Sequence, residues 1–199
     1  MQTLGVSDSL PPSESRLKSL FWPSIRSGSD VDYLGIQGYW VCTLVGVMTL
    51  AGCLFSLVSA GSFAQTFVLL LLSGLFYIGG IGVREGSRPA AAIVFVVYAL
   101  DMGTFLFTSP VSVALLIKLA ITAVLFSNLR ATWIAARWVP GTEEAALPPR
   151  RSETFSDKFV DQWPRWIWPK IRILYYVFSA LMSFIMFLGY GALLFRYGR

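Results

Sequence analysis

The chain contains no histidine. Histidine-ligated haem or chlorophyll, histidine zinc sites and every catalytic arrangement that needs an imidazole base are thereby excluded. Cysteine is nearly absent as well. Cys42 and Cys53 are the only two, and on a helix they lie about 16 Å apart, too far for an internal disulfide. Two cysteines cannot hold a cysteine-ligated cluster either. Charge is sparse: 14% of residues are Asp, Glu, Lys or Arg, against about 25% in ordinary soluble domains. There is no Gly-rich phosphate loop, no Walker-type lysine and no acid pair placed for proton transfer. These gaps point away from catalysis, and the expectation is a non-enzymatic chain without a cofactor or metal.

What fills the sequence is apolar surface. Tyr33 to Val83 is a run of 51 positions without a charged side chain, broken by the turn-like Ser59-Ala60-Gly61-Ser62. A bilayer core ~30 Å thick takes about 20 apolar residues per helix, so this run predicts two spans, over 39–59 and 63–83. The hairpin Arg84-Glu85-Gly86-Ser87-Arg88-Pro89 ends the second. A third runs from Ala90 to Thr108 and is closed by Ser109-Pro110. A fourth starts near Val111, stays apolar to Phe126 and continues as a basic stretch to Trp138, before Pro140-Gly141. A fifth, Ile173 to Phe195, has 23 residues without charge.

The expected fold is an all-α integral membrane helical bundle with five transmembrane helices and a short interfacial amphipathic helix. Its parts are a cytoplasmic tail (1–38), a four-helix transmembrane bundle (39–138), a cytoplasmic interfacial loop (139–172), and the fifth helix with a short outer tail (173–199). Short turns predict that spans one to four pack as antiparallel neighbours, while the longer loop lets the fifth sit at the side. Asp8, Glu14, Asp30 and Asp32 precede or flank the first apolar run, so it reads as a retained span, not a cleaved signal peptide.

Orientation follows from the basic residues. The tail carries Arg16, Lys18 and Arg26, and the second loop Arg84 and Arg88. The fourth loop carries Arg130, Arg137, Arg150, Arg151, Lys158, Arg165, Lys170 and Arg172, whereas the first and third loops have none. The N-terminus and the 139–172 loop are therefore expected in the cytoplasm. Arg196 and Arg199 then lie outside, mildly against the rule. A net charge of +5 reads as this topology and as attraction to anionic lipid headgroups, not as nucleic-acid binding.

The loop from Ser152 to Lys170 is unusually aromatic. Phe155, Phe159, Trp163 and Trp166 or Ile167 recur at steps of three or four, one helical face. Thr154 can cap a helix there, with Asp157 as its capping-box acid. An amphipathic helix in the headgroup layer is the prediction, limited by Pro164. Pro169 is expected to turn the chain into the fifth span, with Trp163, Trp166 and Trp168 as an aromatic belt. In the tail, Arg16 to Trp22 could make a short interfacial turn, and residues 1–15 have a disordered composition.

Two ionisable residues fall inside predicted spans, Asp101 and Lys118. A mid-membrane charge costs about 2.5–3.5 kcal/mol on insertion scales, so each needs a partner or a wet cavity. Asp101 precedes the Ser109 turn by eight positions and Lys118 follows it by nine. In an antiparallel pair both lie ~12–14 Å below the turn, which predicts an ion pair between spans three and four. Tyr98, Thr104 and Thr108 share a helical face with Asp101, and Thr122 lies one turn from Lys118. This stripe is either interhelical hydrogen bonding or a path for a proton or small polar solute. Lys118 could alternatively snorkel to the outer surface. A second cluster, Asn128, Arg130, Trp133 and Arg137, closes span four and reads as positive-inside anchoring or as a site for lipid phosphate or an acidic partner. Gly46, Gly52, Gly74, Gly79, Gly80 and Gly82 suit close helix contact without forming a clear GxxxG pair.

The stretch from Tyr77 to Arg137 resembles small, uncharacterised bacterial multi-pass inner-membrane proteins of about four spans. The likeness is carried by Arg88-Pro89-Ala90-Ala91, the Tyr98/Asp101 pair, and Phe126-Ser127-Asn128-Leu129-Arg130-Ala131-Thr132. It covers about a third of the chain and implies a bacterial inner-membrane location, with no activity attached. The functional expectation is an accessory or structural subunit of a membrane complex. The alternative is a small transporter or channel subunit using the stripe around Asp101.

Overall fold

Residues 25, 28–59, 61–108, 110, 112–137, 160 and 162–197 are described by the structure, a computed structural model. The readings of the tail up to residue 24, and those of Thr154, Phe155, Asp157 and Phe159, lie outside these residues. The described chain forms five α-helices: α1 Gly28–Val58, α2 Phe63–Arg84, α3 Arg88–Thr108, α4 Val113–Ala135 and α5 Trp163–Tyr197. All five are long and apolar enough to cross a membrane.

Local chemistry sets the ends of these helices. Asp30 lies in the first turn of α1, where a carboxylate complements the positive helix end. The Ser62 hydroxyl accepts from the Gln65 amide at 3.2 Å and caps α2. At the other end of α2 the Gly86 amide donates to Val83 O and Ser87 N to Gly82 O, both at 3.0 Å. Gly86 has φ 67°, the left-handed residue that this double closure requires. The Ser87 hydroxyl then accepts from Ala90 N at 3.4 Å, so one short turn stops α2 and starts α3.

Successive helices run antiparallel. Asp32 meets Arg84, Gly46 meets Ser73 and Cys53 meets Thr66 across the α1–α2 seam. Ala90 and Val94 of α3 face Gly82 and Gly79 of α2, while Phe95 packs on Phe126 of α4. Gly38 of α1 abuts Asn128 of α4. Helices α1 to α4 thus close a ring, and α5 lies in the groove between α2 and α3. One end of the bundle, called the basic end below, gathers the starts of α1, α3 and α5 with the finishes of α2 and α4. The 59–62 and 109–112 turns form the opposite end.

Two boundaries differ from the sequence reading. Helix α1 starts at Gly28, ahead of the expected 39. Helix α5 starts at Trp163 instead of Ile173 and passes straight through Pro169. A proline removes one backbone hydrogen bond and usually ends a helix. Here a continuous buried stripe (Val160, Pro164, Trp168, Tyr175, Ser179, Met182) holds both sides of Pro169 in one groove. The stripe also corrects the expected aromatic belt. Trp163 and Trp166 are exposed and pack with tilted rings, centroids 5.9 Å apart, but Trp168 is buried.

Trp168 is buried because α2 makes room for it. A Cβ added to Gly82 would run into the Trp168 ring at Cη2 and lie 2.6 Å from Ala90 Cβ. At Gly79 an added Cβ would lie 2.5 Å from the Tyr175 hydroxyl. Gly46 and Gly80 likewise abut Ser73 and Cys42, whereas Gly52 and Gly74 face open space. Close contact at these small residues is what lets the helices approach one another.

Candidate functional site

Asp101 and Lys118 come together on facing turns of α3 and α4, and Lys118 Nζ donates to Asp101 Oδ2. The ammonium also lies 5.5 Å from the Tyr98 ring centroid and 5.3 Å from that of Phe105. Two ring faces and one carboxylate therefore surround the cation. The pair is not deeply enclosed: the Lys118 side chain is 23% exposed and that of Asp101 47%. Lys118 turns to Asp101 on the facing helix, the arrangement expected of an ion pair and not of a snorkelling lysine.

The threonines of the stripe do not join the helices through their carbonyl bonds. Thr104 donates to Asp101 O at 2.7 Å, Thr108 to Thr104 O at 2.9 Å and Thr122 to Lys118 O at 2.7 Å. Each hydroxyl closes on the preceding turn of its own helix, the usual habit of threonine in a helix. One cross-helix approach exists, from Thr122 Oγ1 to Met102 Sδ at 3.2 Å. Tyr98 turns its ring edge-on to Phe76 at 6.0 Å. The stripe is thus a row of locally satisfied groups beside one ion pair.

The bundle interior below the pair is packed. Leu75, Phe76, Val97, Tyr98 and Leu125 are buried one to two turns toward the basic end. Burial changes abruptly there. Outward of Gly46, Leu75, Tyr98, Val124 and Met182, the buried positions among the described residues are Cys53, Ser56, Thr66 and Ser73. All four lie on the α1–α2 seam, where Ser56 and Thr66 share a hydrogen bond at 2.9 Å.

A second polar node at the basic end escaped the sequence reading. Arg84 Nη1 donates to Asp32 Oδ1 at 2.6 Å, and Arg84 Nε donates to Val160 O at 3.2 Å. Arg84 is 12% exposed and Asp32 24%. One guanidinium ties α1, α2 and the segment entering α5. Beside it Ser87 shares a 2.8 Å hydrogen bond with Tyr176 of α5, and a cavity of about 200 Å³ opens among Asp32, Gly35, Arg84, Asn128 and Thr132. The depth rule that matches Asp101 with Lys118 sets Arg84 roughly opposite Gln37, more than a turn from Asp32. The reach of the arginine side chain closes that gap, and reading Arg84 as a loop charge concealed it.

The α4 cluster splits. Asn128 is buried and donates to Val124 O at 3.2 Å, while Trp133 and Arg137 are exposed and Arg130 is half-buried. Arg88 Nη2 donates to Ala136 O at 3.1 Å, where a cation complements the negative end of α4. Lys170 places its ammonium 3.7 Å from the Trp166 ring centroid. Among the described residues no three His, Cys, Asp or Glu side chains converge as a metal site would need. Cys42 and Cys53 are both buried free thiols. In comparison with known proteins, no family, curated protein or solved structure matches this chain.

Proposed function

We propose that the chain is a five-span membrane protein of a bacterial inner membrane that serves as a non-enzymatic accessory or structural subunit. Its basic end, with Arg84, Arg88, Arg130, Arg137, Arg165, Lys170 and Arg172, faces the cytoplasm. The exposed Trp133, Trp163 and Trp166 then sit at the headgroup level, next to bases that attract anionic lipid. One observation carries the functional reading. The intramembrane charges neutralise one another, and a packed apolar layer (Leu75, Phe76, Val97, Tyr98) lies directly beneath them. Without a continuous polar route the helices offer packing surface, which suits an assembly role.

The half-exposed Asp101 favours a second reading, a small transporter or channel subunit. Extraction in a mild detergent, followed by mass measurement of the intact particle, separates the two. A hetero-complex of fixed stoichiometry supports the subunit role, whereas a homo-oligomer that conducts ions in liposomes supports the second. Orientation is tested by a cysteine at position 150 in intact cells, where ready modification by an impermeant reagent overturns the assignment.

A further inference from the structure

Among the described residues, full burial between the two helical hairpins is confined to about half their length. Between α1–α2 and α3–α4, close packing runs from the basic end up to Gly46, Leu75, Tyr98 and Val124. Beyond that level each hairpin is held within itself: α1–α2 by Cys53, Ser56, Thr66 and Ser73, and α3–α4 by the Asp101–Lys118 pair and the Thr122–Met102 approach. No described position of α3 after Tyr98, or of α4 before Val124, is buried. Asp101 stands on the face of α3 that Val94, Val97 and Tyr98 bury nearer the basic end, so it points inward at the level where the interior opens.

We propose that this opening is a water-filled vestibule, open at the end away from the basic residues and floored by Leu75, Phe76 and Tyr98, with Asp101–Lys118 on its wall. It admits water and small hydrated ions to the pair and no further. The choice of water over lipid as the occupant rests on charge. A carboxylate with half its surface uncovered by protein is costly against hydrocarbon, and that cost disappears if the uncovered half is hydrated. Leu72 and Ile121 are partly buried against the core and line the inward faces near the floor. Leu70 and Leu119 are exposed, two residues away on the outward faces, and closer to the helix ends. The vestibule would therefore keep wet positions that lie deeper than dry ones.

That inversion makes the proposal testable, and it rests on the membrane reading above. In a Cys42→Ala/Cys53→Ala background, single cysteines are placed at 72, 121, 70 and 119, and the protein is put into lipid nanodiscs, which expose both faces. A charged thiol-specific reagent reacts only where water allows a thiolate to form. L72C and I121C are expected to react at least roughly tenfold faster than L70C and L119C, since a thiol in hydrocarbon is not ionised. D101C, at the wall, is expected to react as fast as L72C. If L72C and I121C are as inert as the outward pair, the vestibule is refuted and the membrane reading stands. If L70C and L119C react as fast as L72C and I121C, the membrane reading fails and the vestibule with it. L71C replaces L72C should that variant not give a monodisperse particle, because Leu71 packs on the same core.

Discussion

Removing Asp101 should harm the fold more than removing Lys118, although they are two halves of one pair. Asp101→Ala strands an ammonium that is 23% exposed, whereas Lys118→Ala strands a carboxylate that is 47% exposed. A charge at mid-membrane costs about 2.5–3.5 kcal/mol, and the site lies only two turns from the helix ends, which lowers that figure. The Tyr98 and Phe105 rings retain about 0.5–1 kcal/mol of attraction for the stranded ammonium. The net expectation is roughly 1–2 kcal/mol lost for D101A, and less than about 1 kcal/mol for K118A, whose stranded carboxylate is the less covered by protein. The double variant strands nothing and should cost less than the two singles together. The resulting coupling is about 0.5–1.5 kcal/mol, the range of polar contacts between membrane helices. Reversible unfolding in mixed micelles of increasing SDS fraction would measure all three variants. Strict additivity would show that the pair makes no direct contribution. A larger loss for K118A than for D101A would refute the exposure argument.

Arg84→Lys should loosen the basic end, because a lysine lacks the planar fork that serves Asp32 and the Val160 carbonyl together. Breaking a partly buried pair by Arg84→Ala is expected to cost about 2–4 kcal/mol in the same unfolding assay, with R84K recovering less than half. Gly82→Ala would drive a methyl group into the Trp168 ring, costing about 1–3 kcal/mol. A Trp168→Phe change should rescue part of that loss, and a G82A protein as stable as the parent would contradict the groove. Tyr175 is buried and its hydroxyl has no hydrogen-bond partner among the described residues. Tyr175→Phe is therefore expected to be neutral or stabilising by up to about 1 kcal/mol on thermal unfolding, and a clear loss would reveal a partner for that hydroxyl.

Much of this protein was determined by sequence alone. Helix number follows from five long apolar runs, two of them carrying a single internal charge, Asp101 or Lys118, since backbone groups in hydrocarbon must bond within their own segment. The Asp101–Lys118 contact was legible because a short turn forces facing positions to equal depth, a one-dimensional argument that needs only the rise per residue. Lateral position is different. Nothing local says that α5 settles between α2 and α3, because that depends on Gly79 and Gly82 leaving room that Trp168 and Tyr175 of α5 share with Ala90 and Val94 of α3. The same packing carries α5 through Pro169 and buries one tryptophan of three, against what proline and aromatic patterns predict. The Asp32–Arg84–Val160 node likewise joins positions from three parts of the chain. The half-length union of the two hairpins is also a tertiary result: away from their charged ends and the Asp101–Lys118 pair the helices are apolar on all sides, so hydropathy cannot distinguish a face that meets protein from one that meets lipid or water.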